Sequence, residues 1–109
     1  MLVKQISVFV ENRPGSVYEV TGLLEQRGVD ICALAIADTT NFGILRLIVA
    51  DPDETCAALR AAGFTASIKE IVAISIENRP GGLHAALTPL KDAEINVEYG
   101  YSCVTCDQG

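Results

Sequence analysis

Basic residues are scarce in this sequence. Eight Lys and Arg stand against fourteen Asp and Glu, a formal net charge of −6. Residues 1–69 hold six basic and eight acidic side chains, and residues 70–109 hold two and six. Neither part offers the basic stripe that phosphate neutralisation needs, which argues against a nucleic-acid partner and against an anionic membrane surface. No apolar run approaches the roughly 20 residues that cross a bilayer. The N-terminus, Met1-Leu2-Val3-Lys4-Gln5-Ile6, alternates instead of forming the unbroken apolar stretch of a signal peptide. There is a single histidine, His84, and no spacing gives it a nucleophile as partner. No Gly-rich phosphate loop of the P-loop or dinucleotide type is present. These absences lead to the expectation of a protein that is not an enzyme, carries no cofactor or metal, and meets neither nucleic acid nor membrane. Without a secretion signal, the four cysteines read as reduced thiols of a cytoplasmic protein.

What the sequence does have is apolar material and a repeat. Half of its 109 residues are hydrophobic, enough for a packed core in one ordinary domain or two very small ones. Glu11-Asn12-Arg13-Pro14-Gly15 returns as Glu77-Asn78-Arg79-Pro80-Gly81, an offset of 66. The same offset carries Val8 and Val10 onto Ile74 and Ile76, Val17 onto Leu83, and Leu24 onto Leu90. It carries Val29-Asp30-Ile31 onto Ile95-Asn96-Val97. Two copies of one unit follow, at residues 1–69 and 70–109.

The first unit reads strand, helix, strand, strand, helix, strand. Residues 3–11 alternate with Ile6, Val8 and Val10 on one face. Asn12 to Gly15 is turn chemistry, and Val17, Val20, Leu23 and Leu24 recur at helical spacing up to Gly28. Val29–Ala37 is a strand, residues 39–43 a hairpin loop and Ile44–Ala50 a strand. Asp51-Pro52-Asp53-Glu54 starts a helix with a capping Asp, a Pro at its first position and acids in its first turn. Gly63 ends that helix, and Phe64–Lys69 is the last strand. This is the split βαβ order of an α+β, ferredoxin-like fold: an antiparallel sheet with helices on one face. The second unit begins alike, with a strand over Glu70–Glu77, a helix over Leu83–Lys91 and a strand from Ile95 to about Val104. Pro89 lies inside the helix and should bend or shorten it. Counterparts of Ile44–Ile68 are absent, so the second unit is incomplete, a β-α-β only. The strand at 95–104 then has no ladder partner within its own unit. It belongs to a longer protein, adds to the free edge of the first unit, or is completed by another chain.

A strand that ends in Asn-Arg-Pro-Gly and runs straight into a helix positions unpaired N–H groups and a positive dipole end, which suit a carboxylate or phosphate; taken alone it is equally a tight strand-to-helix turn. This motif, twice present in a split βαβ setting, resembles the ACT domain, the small amino-acid-sensing module of metabolic regulation. Glu11–Gly15 followed by Glu25-Gln26-Arg27-Gly28-Val29-Asp30-Ile31 looks much like the regulatory domain of bacterial phosphoglycerate dehydrogenase. Two units with no enzyme attached look like the stand-alone tandem ACT proteins. The resemblance implies ligand contacts from Asn12 and Asn78 in the loops and from Asp30 and Asn96 at the start of the second strand. It places Gly15 and Gly81 at a close-approach position, with Arg13, Pro14, Ser16, Arg79 and Gly82 around them. It also implies a ligand held between two units. Where the dehydrogenase carries a His before the motif, this chain has Val10 and Ile76, and Asp30 replaces an Asn. A carboxylate accepts and does not donate, so Asp30 favours an ammonium, and serine specificity does not transfer.

Cys103-Val104-Thr105-Cys106 lacks the following helix that lowers a thiol pKa, and a second ligand pair for zinc. Cys32 and Cys56 read as small core hydrophobes, and His84 as an interface side chain or a ligand contact. Tyr99 and Tyr101 share one face of a strand, as core, interface or ligand-lining residues. The resulting expectation is a cytoplasmic regulatory protein that binds an amino acid and forms a homodimer or higher homo-oligomer. A metabolic enzyme is its further possible partner. The alternative is a ligand-free interaction module that regulates or assembles such an enzyme.

Overall fold

Alternating apolar residues build the central strand. In the computed structural model, which describes residues 1–38 and 42–102, β1 spans Leu2–Glu11 and buries Ile6, Val8 and Val10 on one side. The turn that follows leads into α1, Ser16–Gln26. The chain continues through β2 (Ile31–Asp38), β3 (Phe42–Val49), α2 (Pro52–Ala61) and β4 (Thr65–Val72). One sheet results, ordered β2-β3-β1-β4, with every neighbouring pair antiparallel. This is the expected ferredoxin-like order, with β1 in the middle.

Register decides which residues share a face. Ile6 stands opposite Leu47 and Ile68, and Val8 opposite Leu45 and Ala66. These side chains meet Val20 and Leu24 of α1 and Cys56 and Leu59 of α2 in a single core. Both helices therefore cover one face of the sheet. Each large aliphatic chain buried there contributes about 1.5–3 kcal/mol. The α2 start has Pro52 at its first position and Asp53 and Glu54 in its first turn, as the sequence suggests, but Asp51 makes no side-chain cap hydrogen bond. Asp53 instead pairs with Lys4 on β1, 3.0 Å apart and exposed, worth under about 1 kcal/mol.

Cys56 is a core residue, whereas Cys32 is exposed. The ladder between β2 and β3 shifts register between Ile31 and Ala33, so Cys32 is the extra residue of a bulge and turns out of the core pattern. Of the expected hairpin loop at 39–43, Phe42 and Gly43 belong to β3, and residues 39–41 lie outside the described residues, as do Cys103 and Cys106.

The second unit departs from expectation. The strand read over Glu70–Glu77 is paired only up to Val72, and its partner is the first unit's β1, so β4 runs across the repeat boundary. Beyond it, Ala73 exchanges backbone hydrogen bonds with Met1 (2.8 and 3.3 Å), and residues 74–77 join no ladder. The helix forms as α3, Gly82–Asp92, eleven residues like α1, so Pro89 does not shorten it. Pro89 sits in the last turn, where few hydrogen bonds follow it. The strand expected from Ile95 forms no ladder up to residue 102 and does not add to the β2 edge. The physical reason is the missing partner: among the described residues nothing in the second unit corresponds to β3, which flanks β1 in the first. Its apolar positions stay open in consequence. Ile74, Ile76, Leu83, Ile95 and Val97 are all exposed, whereas Val8 and Val10, the counterparts of Ile74 and Ile76, are buried, and Val17, Val29 and Ile31, the counterparts of the other three, are partly buried.

Candidate functional site

The Asn-Arg-Pro-Gly turn has the same backbone in both units. In the first, Arg13 N–H donates to the Glu11 carbonyl (2.9 Å), Ser16 N–H to the Arg13 carbonyl (3.3 Å) and Glu19 N–H to the Gly15 carbonyl (2.9 Å). In the second, Arg79 donates to Glu77 (2.9 Å), Gly82 to Arg79 (3.0 Å) and Ala85 to Gly81 (2.9 Å). Gly15 and Gly81 stand at the N-caps of α1 and α3 with φ of 87° and 83°, the left-handed region that an L side chain enters only under strain. A Cβ at either position would meet nothing within 4 Å. Glycine is thus required by the turn itself, and open space lies beside it. As N-caps, the two glycines offer no side chain to cap the helix starts.

The two copies differ in detail. Arg13 pairs with Glu19 (3.1 Å) and with Glu11 (3.7 Å). The hydrogen bond that the guanidinium donates to Glu19, and then the charge of Glu19, hold it above its ordinary pKa. In the second unit Ala85 takes the place of Glu19, α3 has no acid in its first turn, and Arg79 pairs with Glu77 at 3.0 Å. Ser16 is almost fully buried, and its hydroxyl has no hydrogen-bond partner. Its counterpart is Gly82, where a Cβ would collide with the carbonyl oxygen of Glu77. Gly82 is therefore the glycine that lets the Glu77 carbonyl approach closely in the second loop, while Gly81 faces open space. The signal that could have found it was the Ser-to-Gly difference between the copies.

Asp30 lies elsewhere. It lines a cleft of about 260 Å³ with Arg27, Gly28, Asp51 and Glu54, between the end of α1 and the start of α2. The eleven residues of α1 separate it from the Asn12–Ser16 loop, a span of about 16 Å along the helix. The eleven residues of α3 separate Gly81 from Asn96 in the same way. The structure thus brings Asn12, Arg13, Pro14, Gly15 and Ser16 together, and likewise Asn78, Arg79, Gly81 and Gly82. It keeps Asp30 and Asn96 apart from the loops of their own units. His84 is exposed on α3. Among the described residues no group of three acidic, His or Cys side chains is placed to hold a metal, and no helix is long and apolar enough to cross a membrane.

The family profile of the ACT domain pair matches residues 1–109, the whole chain. The chain belongs to the ACT domain pair family. ACT domains are in general regulatory modules that bind small-molecule ligands, often amino acids. This ACT pair is similar to a solved structure, protein BT0572 from Bacteroides thetaiotaomicron, at 40% identity and a TM-score of 0.90, covering 98% of this chain and 74% of that one. The regulatory subunit of aspartate kinase from Thermus thermophilus, in a ligand-free form, shares the fold at 18% identity and a TM-score of 0.68, covering 91% and 76%. The aspartokinase alpha and beta subunits share it at 14% and 0.54, covering 93% and 80%. No curated protein matches the sequence. The ACT pair consists here of one full unit and one partial unit.

Proposed function

We propose that this ACT pair is a regulatory protein, without catalysis of its own, that binds an amino acid between two units. The observation that carries the reading is the loop built twice with one backbone pattern: a left-handed glycine as N-cap and open space beside it. The ligand's carboxylate would accept from backbone N–H groups after Gly15 or Gly81, and its ammonium would face Asp30 or Asn96. One unit cannot supply both ends, because a whole helix lies between them. The site is therefore shared between units, either of this chain or of a second copy in a homodimer. Ligand binding would then favour one assembly over another, which is how a module without chemistry transmits a signal.

Equilibrium dialysis with each of the twenty amino acids tests this, on the chain and on Asn12→Ala, Asn78→Ala and Asp30→Ala. Saturable binding of one or two amino acids, weakened at least tenfold by one of the loop variants and by Asp30→Ala, is the expected result. Binding that all three variants retain would remove the site.

A second reading, the ligand-free interaction module, has one observation in its favour. β2 is an edge strand, and Leu34 and Ile36 on it are about half exposed. An open apolar edge of this kind accepts another strand. Under that reading a Lys at position 34 would break partner or self association and leave dialysis unaffected.

A further inference from the structure

Among the described residues, two links join the second unit to the first. One is the backbone, where β4 runs on into residues 73–77. The other is a side-chain cluster on the sheet face that carries no helix. Gln5 alternates with Ile6, and Arg46 with Leu45 and Leu47, so both project away from the core shared with α1 and α2. Gln5 is nonetheless fully buried. Its cover comes from Tyr99 and Tyr101, two residues apart with Gly100 between them. Gln5 Nε2 donates to the Tyr99 hydroxyl (3.1 Å) and to Ser7 Oγ (3.2 Å). The Tyr101 hydroxyl donates to Gln5 Oε1 at 2.6 Å. The guanidinium of Arg46 lies 3.8 Å from the centroid of the Tyr99 ring, a cation–π contact.

We infer that this cluster is a clamp that fixes the orientation of the second unit on the first. Four observations converge. Residues 74–77 join no ladder, so the backbone link alone is a hinge. α3 fully buries only Gly82, with Ala86, Leu87 and Leu90 partly buried, so the helix is weakly anchored. Residues 95–102 also lie outside any ladder, so their attachment to the sheet rests on side chains. A buried glutamine is costly unless its donor and acceptor are both answered, and here Tyr99 and Tyr101 of the other unit answer the acceptor and share the donor with Ser7. The two-unit layout recurs in the 40% identical solved relative, which superposes over 98% of the chain. The clamped body carries Asn78, Gly81 and Asn96, so the clamp sets where these stand relative to Asn12 and Asp30. The second unit therefore docks on the helix-free face and leaves the β2 edge open. The inference holds whether or not any ligand binds.

Residual dipolar couplings of the backbone amides test it on the full chain. In the wild type, couplings from α3 should fit the alignment tensor that describes α1, α2 and the sheet. In the Tyr99→Phe/Tyr101→Phe double variant, which removes both hydroxyls and leaves the first unit untouched, α3 couplings should fall at least twofold while those of α1 and α2 stay. Gln5→Leu should act alike, and Tyr18→Phe, exposed on α1 and away from the cluster, should change nothing. Couplings in α3 that are already averaged in the wild type, or that keep their full size in the double variant, would overturn the clamp. If Gln5→Leu unfolds the chain, the double variant decides.

Discussion

At the residue scale the repeat supplies its own controls, because the same side-chain position occurs in two surroundings. Val8 is fully buried against Leu45 and Ala66, and its counterpart Ile74 is about half exposed. Truncation to alanine at the two positions should therefore give unequal costs, and the smaller side chain should cost more. Val8→Ala should lose about 2 kcal/mol, from two lost methyl groups plus the cavity they leave. Ile74→Ala should lose under about 0.5 kcal/mol, as at an ordinary surface position. Urea denaturation of both variants reads the difference, and equal costs would mean that the second unit has a closed core after all. The loops show the same asymmetry. Ser16 holds an unanswered buried hydroxyl, a penalty of about 1–3 kcal/mol that Gly82 does not carry.

At the element scale, local chemistry was legible wherever a segment carried its own signal. The alternation of β1, the Pro52 start of α2 and the order of strands and helices in the first unit could all be read from the sequence, because periodicity and turn residues act locally. The segments misread are those whose state depends on a partner far along the chain. Ile95–Val97 has the pattern of a strand, but a strand needs a neighbour, and pattern alone does not supply one. Gln5 was opaque for the same reason: it is one polar residue in an alternating strand, and only the fold brings Tyr99 and Tyr101 onto it. Cys32 reads as core from its apolar flanks, and a bulge that periodicity does not record turns it out. In the loops the motif was legible, whereas the distance between Asp30 and Asn12 required the helix between them to be placed. Because α3 buries little, its helix content and the global stability should separate. Pro89→Ala restores a hydrogen bond and should deepen the ellipticity at 222 nm. The urea midpoint should move by less than the error of measurement. A large gain in midpoint would show α3 packed into the cooperative core.

At the scale of the whole molecule, the full first unit carries the core and the partial second unit brings a second copy of the loop. The clamp on the helix-free face fixes one relative to the other. This division suits the regulatory module proposed above, in which the loops and the residues Asp30 and Asn96 would complete a site only across units. The measurement that tests this most directly is a thermal-shift panel of the twenty amino acids at millimolar concentration. A ligand at about 100 times its dissociation constant adds about 2.7 kcal/mol, which raises the midpoint of a domain of this size by several degrees. The account predicts such a rise for one or two amino acids and none for the rest. A cooperative transition that none of the twenty displaces would contradict it.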